Sequence, residues 1–185
     1  MTPGIQDDDV KILASLSQAI APDYKRPPDD PWAGSPFEWI LSVPSRTKGA
    51  IGEKLVAGWA AAQGFDVTRS PSSDADRIIN GQRIEIKLST LWESGGFKFQ
   101  QIRDQDYDFA LCIGISPFDA QAWLLPKSVL REYVIGHMGQ HTGAEGTETS
   151  WIGFQAEEPY PWMEPYGDRL SDVARLFRAN GRGSF

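Results

Sequence analysis

The sequence predicts a mixed α/β domain in which helices pack against a central sheet. Three observations carry this: a helical stretch over 46–63, an Asn-Gly pair between apolar runs at 78–88, and the unbroken apolar run Phe109–Ile115. Helical and strand periods alternate along the chain, and burying one face of each calls for helix layers on a sheet.

The elements follow in order. Asp7, Asp8 and Asp9 before Val10, Ile12, Leu13, Leu16 and Ile20 predict an amphipathic helix with acids at its positive end. Residues 22–36 are a Pro/Asp-rich connector, and a short apolar piece, Phe37–Val43, comes next. The helix from about Arg46 to Gln63 takes Ser45 as its cap and Gly64 as its stop signal. Phe65–Arg69 reads as a strand, Arg77–Leu88 as a hairpin, and Tyr107–Ile115 and Ala120–Leu125 as further strands. Pro126–Ile135 is a candidate helix, 136–146 a glycine-punctuated loop, and Trp151–Phe154 a short strand. Asp168–Arg178 closes the series as a helix with Leu170, Val173, Ala174 and Phe177 on one face. The expected organisation is one domain, with residues 1–44 as an N-terminal helix and Pro-rich extension on a core formed by 45–185.

Composition narrows the function classes. The 185 residues carry a net charge of −7 and one cysteine, Cys112, inside an apolar run. A disulfide framework is excluded, and a reducing, cytoplasmic setting is the expectation. The run Phe109–Ile115 falls far short of the ~20 residues a bilayer demands, and Asp7–Asp9 stand where a signal peptide needs positive charge. No membrane association is expected. The acidity is peripheral: residues 1–40 and 132–185 each sum to −4, whereas 41–131 sum to +1. A polyanion-binding face in the central third is therefore compatible with the overall charge. No P-loop, G-x-S-x-G elbow or dinucleotide fingerprint occurs.

The hairpin carries the chemistry. With Asn80 and Gly81 as a two-residue loop, Ile79 pairs with Gln82 and Arg77 with Ile84. Continued outward, that register sets Asp76 opposite Glu85 and Asp74 opposite Lys87, with Ile84 and Ile86 on the other face. Two facing carboxylates repel unless a cation lies between them, and hard divalent cations favour carboxylate oxygens. Lys87 beside such a cation would orient a water whose pKa the metal lowers. A third acid, Glu53, lies on the preceding helix, where its neighbours Val56, Ala57 and Ala60 are apolar. The plainer alternative is a half-exposed strand with ordinary surface charges.

Asp76, then Glu85-Ile86-Lys87 after a short hairpin, with Glu53 on the helix before it, resembles the PD-(D/E)xK nuclease superfamily. Phe99-Gln100-Gln101-Ile102-Arg103, followed by Asp106-Tyr107-Asp108 and an apolar strand, resembles its type II restriction endonuclease-like members in particular. The resemblance spans about 49–116. It implies a restriction-endonuclease-like core with a mixed central β-sheet flanked by helices. It also implies that Asp76, Glu85 and Glu53 bind Mg²⁺ (or Mn²⁺ in its place), that Lys87 assists the attacking water, and that Gln101 is a polar site residue. The sequence departs from the family pattern at one point: Pro71 stands well before either aspartate, which leaves Asp74 and Asp76 both as ligand candidates.

The function expected on this basis is Mg²⁺-dependent cleavage of double-stranded DNA to a 5′-phosphate and a 3′-hydroxyl. Cutting both strands needs two sites, so a homodimer on a short palindrome is the simplest assembly, with a DNA methyltransferase as the cognate partner. Loop position makes Lys98, Gln100, Arg103, His141 and Thr142 candidates for DNA contact, alongside Gln101. Two alternatives stand: a structure-selective repair or recombination nuclease, and a non-catalytic binding module. His137 and His141 lack the helix and neighbouring Glu that zinc chemistry would need. Trp92, close to Gly95-Gly96, is expected to pack in the core, with base stacking as its other use.

Overall fold

The structure is a computed structural model that describes residues 30–140 and 149–180. The predicted helix after Asp7–Asp9 lies outside the described residues, as do His141 and Thr142. Contacts divide the chain into 1–33 and 34–185. Of the first unit only 30–33 are described, a turn in which the Asp30 carbonyl accepts from Ala33 N–H and its carboxylate from Trp32 N–H. The second unit holds every element below.

Two helices open this unit: α1 (Glu38–Leu41), inside the predicted apolar piece, and α2 (Ser45–Ala62). Ser45 is not the cap that its residue type suggests. Pro44 precedes the first turn in extended conformation, its carbonyl accepts from Thr47 and Lys48, and Ser45 is already helical. Proline's fixed φ suits entry into the helix, and no side chain caps the first turn. Gly64 ends the helix as expected, with Gly64 N–H on the Ala61 carbonyl and Phe65 N–H on that of Ala60.

Six strands form the central sheet, in the order β1 (Val67–Arg69), β2 (Arg77–Ile79), β3 (Gln82–Thr90), β5 (Phe109–Ile115), β6 (Ala120–Pro126) and β9 (Gly167–Arg169). Only β3 and β5 run parallel; all other pairs are antiparallel, so the sheet is mixed. The turn between β2 and β3 is the predicted one. Asn80 and Gly81 have φ of 50° and 78°, as a type I′ hairpin demands, and the register Arg77–Ile84, Ile78–Arg83, Ile79–Gln82 matches the sequence expectation. The helix α3 (Lys127–Tyr133) follows β6 directly, and α4 (Leu170–Asn180) buries Val173, Ala174 and Phe177.

Helices α2 and α4 cover one face of this sheet, whereas Leu130 of α3 packs on the other. Gly52 in α2 sits so close to Leu88 that a Cβ would lie 2.8 Å from the leucine Cβ. Only glycine permits that approach, and it brings the neighbouring Glu53 up to the sheet. The other face carries a second sheet that the sequence reading did not include, ordered β4 (Gly96–Ile102), β8 (Thr149–Gln155), β7 (Gly139–Gln140). Phe97, Phe99 and Phe154 from this sheet close on Trp123 of β6, with ring centroids 5.2–6.5 Å apart. The short 3₁₀ segment Pro161–Tyr166 buries Met163 against the same cluster. The result is three layers: helices, mixed sheet, small antiparallel sheet. No helix among the described residues is long and apolar enough to cross a membrane.

Candidate active site on the central hairpin

Strand β3 sorts its residues by alternation. Leu88 meets α2, so Ile84 and Ile86 share the helix side. Ser89 accepts a hydrogen bond from Lys98 N–H of β4 at 2.9 Å, so Glu85, Lys87 and Ser89 face the small sheet. The separation of Glu85 and Lys87 from Ile84 and Ile86 follows the sequence pattern.

Glu85 and Lys87 meet directly. Lys87 Nζ donates to Glu85 Oε1 at 2.6 Å, and the two side chains are 16% and 11% exposed. Burial raises the Glu85 carboxyl above its ordinary pKa, the Lys87 ammonium pulls it back, and the charges of Asp76 and Glu53 push it up again. Across β5, Lys87 is in register with Cys112, whose wholly buried thiol is pushed up to about 12. That thiol is therefore protonated and is not a nucleophile.

Asp76 differs from the expectation in an instructive way. The ladder ends at Arg77–Ile84, and Asp76 N–H also donates to the Ile84 carbonyl at 2.9 Å. The side chain does not sit in a regular pair with Glu85. Instead Asp76 Oδ2 accepts the Ile86 backbone N–H at 2.7 Å. Two carboxylates held directly opposite would repel, and an amide donor offers the aspartate a better place. The outcome still anchors Asp76 on the amide between Glu85 and Lys87. Asp74 lies before the ladder begins, its N–H on Ser72 Oγ, and its carboxylate bonds to no described residue. Of the two aspartates, Asp76 is the one tied to β3.

Glu53 approaches from α2 on the helix side of the sheet, and is held there by a residue that sequence reasoning missed. Arg77 Nη1 lies 3.2 Å from Glu53 Oε2 and also donates to the Asp76 carbonyl at 2.7 Å. Burial raises the Glu53 carboxyl, and so does the charge of Asp76, against Arg77 and Arg69. The signal was present in the register: Arg77 pairs with Ile84 and shares its face, which is the face α2 covers.

These donors suit a hard cation in kind, being carboxylate oxygens, and the charge of Asp76 helps raise the carboxyls of both Glu53 and Glu85. Glu85 Oε2, Asp76 Oδ1 and Glu53 Oε1 receive no hydrogen bond from a described residue. The three do not close into a cage, however: among the described residues no group of three or more His, Cys, Asp or Glu is placed to hold a metal ion. Glu53 is turned to Arg77 and Glu85 to Lys87, so cation binding would exchange these partners.

The remaining candidates scatter. Gln100, Gln101 and Arg103 are exposed at the end of β4, where the pairing with β8 breaks between Phe99 and Ile102. Gln101 has a φ of 58°, rare for a residue with a side chain. Lys98 Nζ sits 3.3 Å from the ring centroid of Trp151 and 5.1 Å from that of Trp92. Trp92 is 49% exposed and not in the core, because it opens the β3–β4 turn instead of entering a strand. His137 is exposed.

Also unforeseen is the clasp on the 103–108 loop. Arg83 binds Asp108 at 2.7 Å and also Asp106, while Lys127 and Arg131 bind Asp104 at 2.8 and 3.0 Å. Its residues are spread over three elements, so no single spacing reveals it.

No family model matches the chain, and no curated protein does. Among solved structures, a bacterial homing endonuclease is similar over 76% of this chain and 99% of its own, with 17% identity and a TM-score of 0.49. That likeness is too slight to bear on fold or activity.

Proposed function

We infer that the chain is a divalent-cation-dependent endonuclease acting on DNA. One observation carries this reading: the Asp76 carboxylate is anchored on the Ile86 amide, between Glu85 and Lys87, so two acids and an amine gather at one point of β3. Asp76 and Glu85 would hold Mg²⁺ (or Mn²⁺), with Glu53 as the third acid. The bound cation would supply Lewis-acid polarisation of a phosphate oxygen and a lowered water pKa. Lys87, beside Glu85, would orient a water and offset charge building on the attacked phosphate. Arg77 positions Glu53 and is not itself a catalytic residue.

Double-stranded DNA as substrate, a short specific site, a homodimer and a cognate methyltransferase complete the restriction-type proposal. The test is cleavage of methylated and unmethylated plasmid with Mg²⁺. Glu85→Ala and Lys87→Ala are expected to abolish cutting while circular dichroism stays unchanged. Undiminished cutting by either variant removes the proposed site.

A second reading, a non-catalytic binding module, is favoured by the Glu85–Lys87 contact itself, which balances the carboxylate without any metal ion. Calorimetry separates the two: Mg²⁺ or Mn²⁺ heat that vanishes in Asp76→Asn supports the nuclease, and no heat supports the module.

A further inference from the structure

Lys98 has a setting unlike that of the site cations. Lys87, Lys127, Arg77 and Arg83 each meet a carboxylate. Lys98 meets none among the described residues; its ammonium has the Trp151 ring at 3.3 Å and the Trp92 ring at 5.1 Å. Opposite it on β8 is Gly153, where even a Cβ would come no nearer than 3.9 Å to the lysine Cγ. The stem therefore crosses β8 unobstructed and delivers its charge to Trp151.

The position is fixed from below. Lys98 N–H is bonded to Ser89 Oγ, and Ser89 is two residues beyond Lys87 on the same face of β3. Trp92 N–H donates to the Gly96 carbonyl and its carbonyl accepts from Gly95 N–H, each at 2.9 Å. That tight turn holds the indole in place while leaving it half exposed. Trp92 lies in the turn just beyond β3, so at ~3.4 Å per residue it is at most roughly 17 Å from Lys87. A single-strand site of ~4–16 nucleotides covers that distance.

We propose that Trp92, Lys98 and Trp151 form a binding site for an unpaired nucleotide, the base stacking on Trp92 and its phosphate meeting Lys98. The proposal rests on the nuclease reading's premise that the substrate is DNA, and it departs from the restriction-type form in favour of the structure-selective alternative. A half-exposed indole offers a stacking face, and every base has one to match. In an intact duplex those faces are covered by neighbouring base pairs, so the same indole would meet only sugar and phosphate. An ammonium without a carboxylate partner among the described residues complements the phosphate, and its two flanking rings hold it in place without neutralising it. The chain would thus favour DNA with an unpaired segment, such as a junction, flap or frayed end, near the hairpin acids.

The experiment uses the full chain in EDTA, so that binding is read without cleavage. Fluorescently labelled dT20 and a 20-base-pair duplex are titrated by anisotropy, with tryptophan quenching followed in parallel. The expected result is at least tenfold tighter binding of dT20, with quenching. Trp92→Ala should weaken dT20 binding about tenfold. Lys98→Gln should reduce the slope of log affinity against log salt by roughly 0.7. Trp92 is exposed in the β3–β4 turn and Lys98 is half-buried on β4, and near-UV circular dichroism verifies that each variant is folded. Equal or tighter duplex binding, or unchanged dT20 affinity in Trp92→Ala, overturns the proposal. The two readings fail separately. Tight, Trp92-dependent dT20 binding by a protein that cuts no DNA sinks the nuclease and keeps this site; plasmid cutting with no effect of Trp92→Ala on dT20 binding does the reverse.

Discussion

Replacing Lys87 by methionine isolates the electrostatics of the site. The ammonium lies 2.6 Å from Glu85 Oε1 with both side chains mostly enclosed, so Lys87→Met leaves a buried carboxylate facing the charges of Asp76 and Glu53 without its cation. Breaking a buried pair from one side costs about 3 kcal/mol at neutral pH, at the lower end of the usual range because water reaches part of this pair. In a chain of 185 residues that lowers Tm by roughly 6–12 °C. The sign of the pH dependence follows from the shift. The folded Glu85 carboxyl is already raised by burial, and losing Lys87 raises it further. A raised carboxyl penalises the folded state at pH values above it, and protonation on acidification removes that penalty. The Tm deficit of Lys87→Met against the native chain should therefore be largest at pH 7–8 and shrink as pH falls toward the ordinary carboxylate range near 4.5. Thermal unfolding followed by circular dichroism at pH 7.5, 6 and 5 reads it directly. A deficit that is absent, or that is the same at all three values, would show that Glu85 does not depend on Lys87 for its charge.

Three further outcomes are expected. Mg²⁺ at about ten times its Kd should add ~1.4 kcal/mol to stability, a Tm rise of roughly 3–6 °C that Asp76→Asn eliminates; a rise that persists in the variant places the cation elsewhere. Gly114→Val should lower Tm by several degrees. A Cβ there would lie 2.7 Å from atoms of the Phe97 ring, which Phe99 and Phe154 hold in place, and such overpacking costs ~1–3 kcal/mol. Arg83→Gln should lower the urea midpoint only slightly at pH 7, because solvent screens the pair. The Arg83 hydrogen bonds hold the Asp108 carboxyl below its ordinary pKa, so the native advantage is full above the carboxylate range and fades as pH falls through the depressed value. An equal gap at pH 7 and pH 3 would contradict that assignment.

The amino-acid sequence alone determined the β2–β3 hairpin, its register, and the placing of Glu85 and Lys87 away from Ile84 and Ile86. Those features depend on two turn residues that tolerate positive φ and on the two-residue period of a strand, both local. The helix over 45–62 and the strands β5, β6 and β8 were legible for the same reason. Tertiary structure decided the rest. Strand β4 was missed because its partner β8 lies some fifty residues on, and neither Gly96–Ile102 nor its flanks announces that pairing. Trp92 reads as an apolar residue until the turn that leaves it outside is formed. Asp76 exchanges a regular cross-strand position for the Ile86 amide, and Glu53 turns to Arg77, because each carboxylate takes the nearest donor that folding brings within reach. Periodicity tells which way a side chain points along its own strand; which cation or amide it finds there depends on a second segment whose position no local pattern encodes.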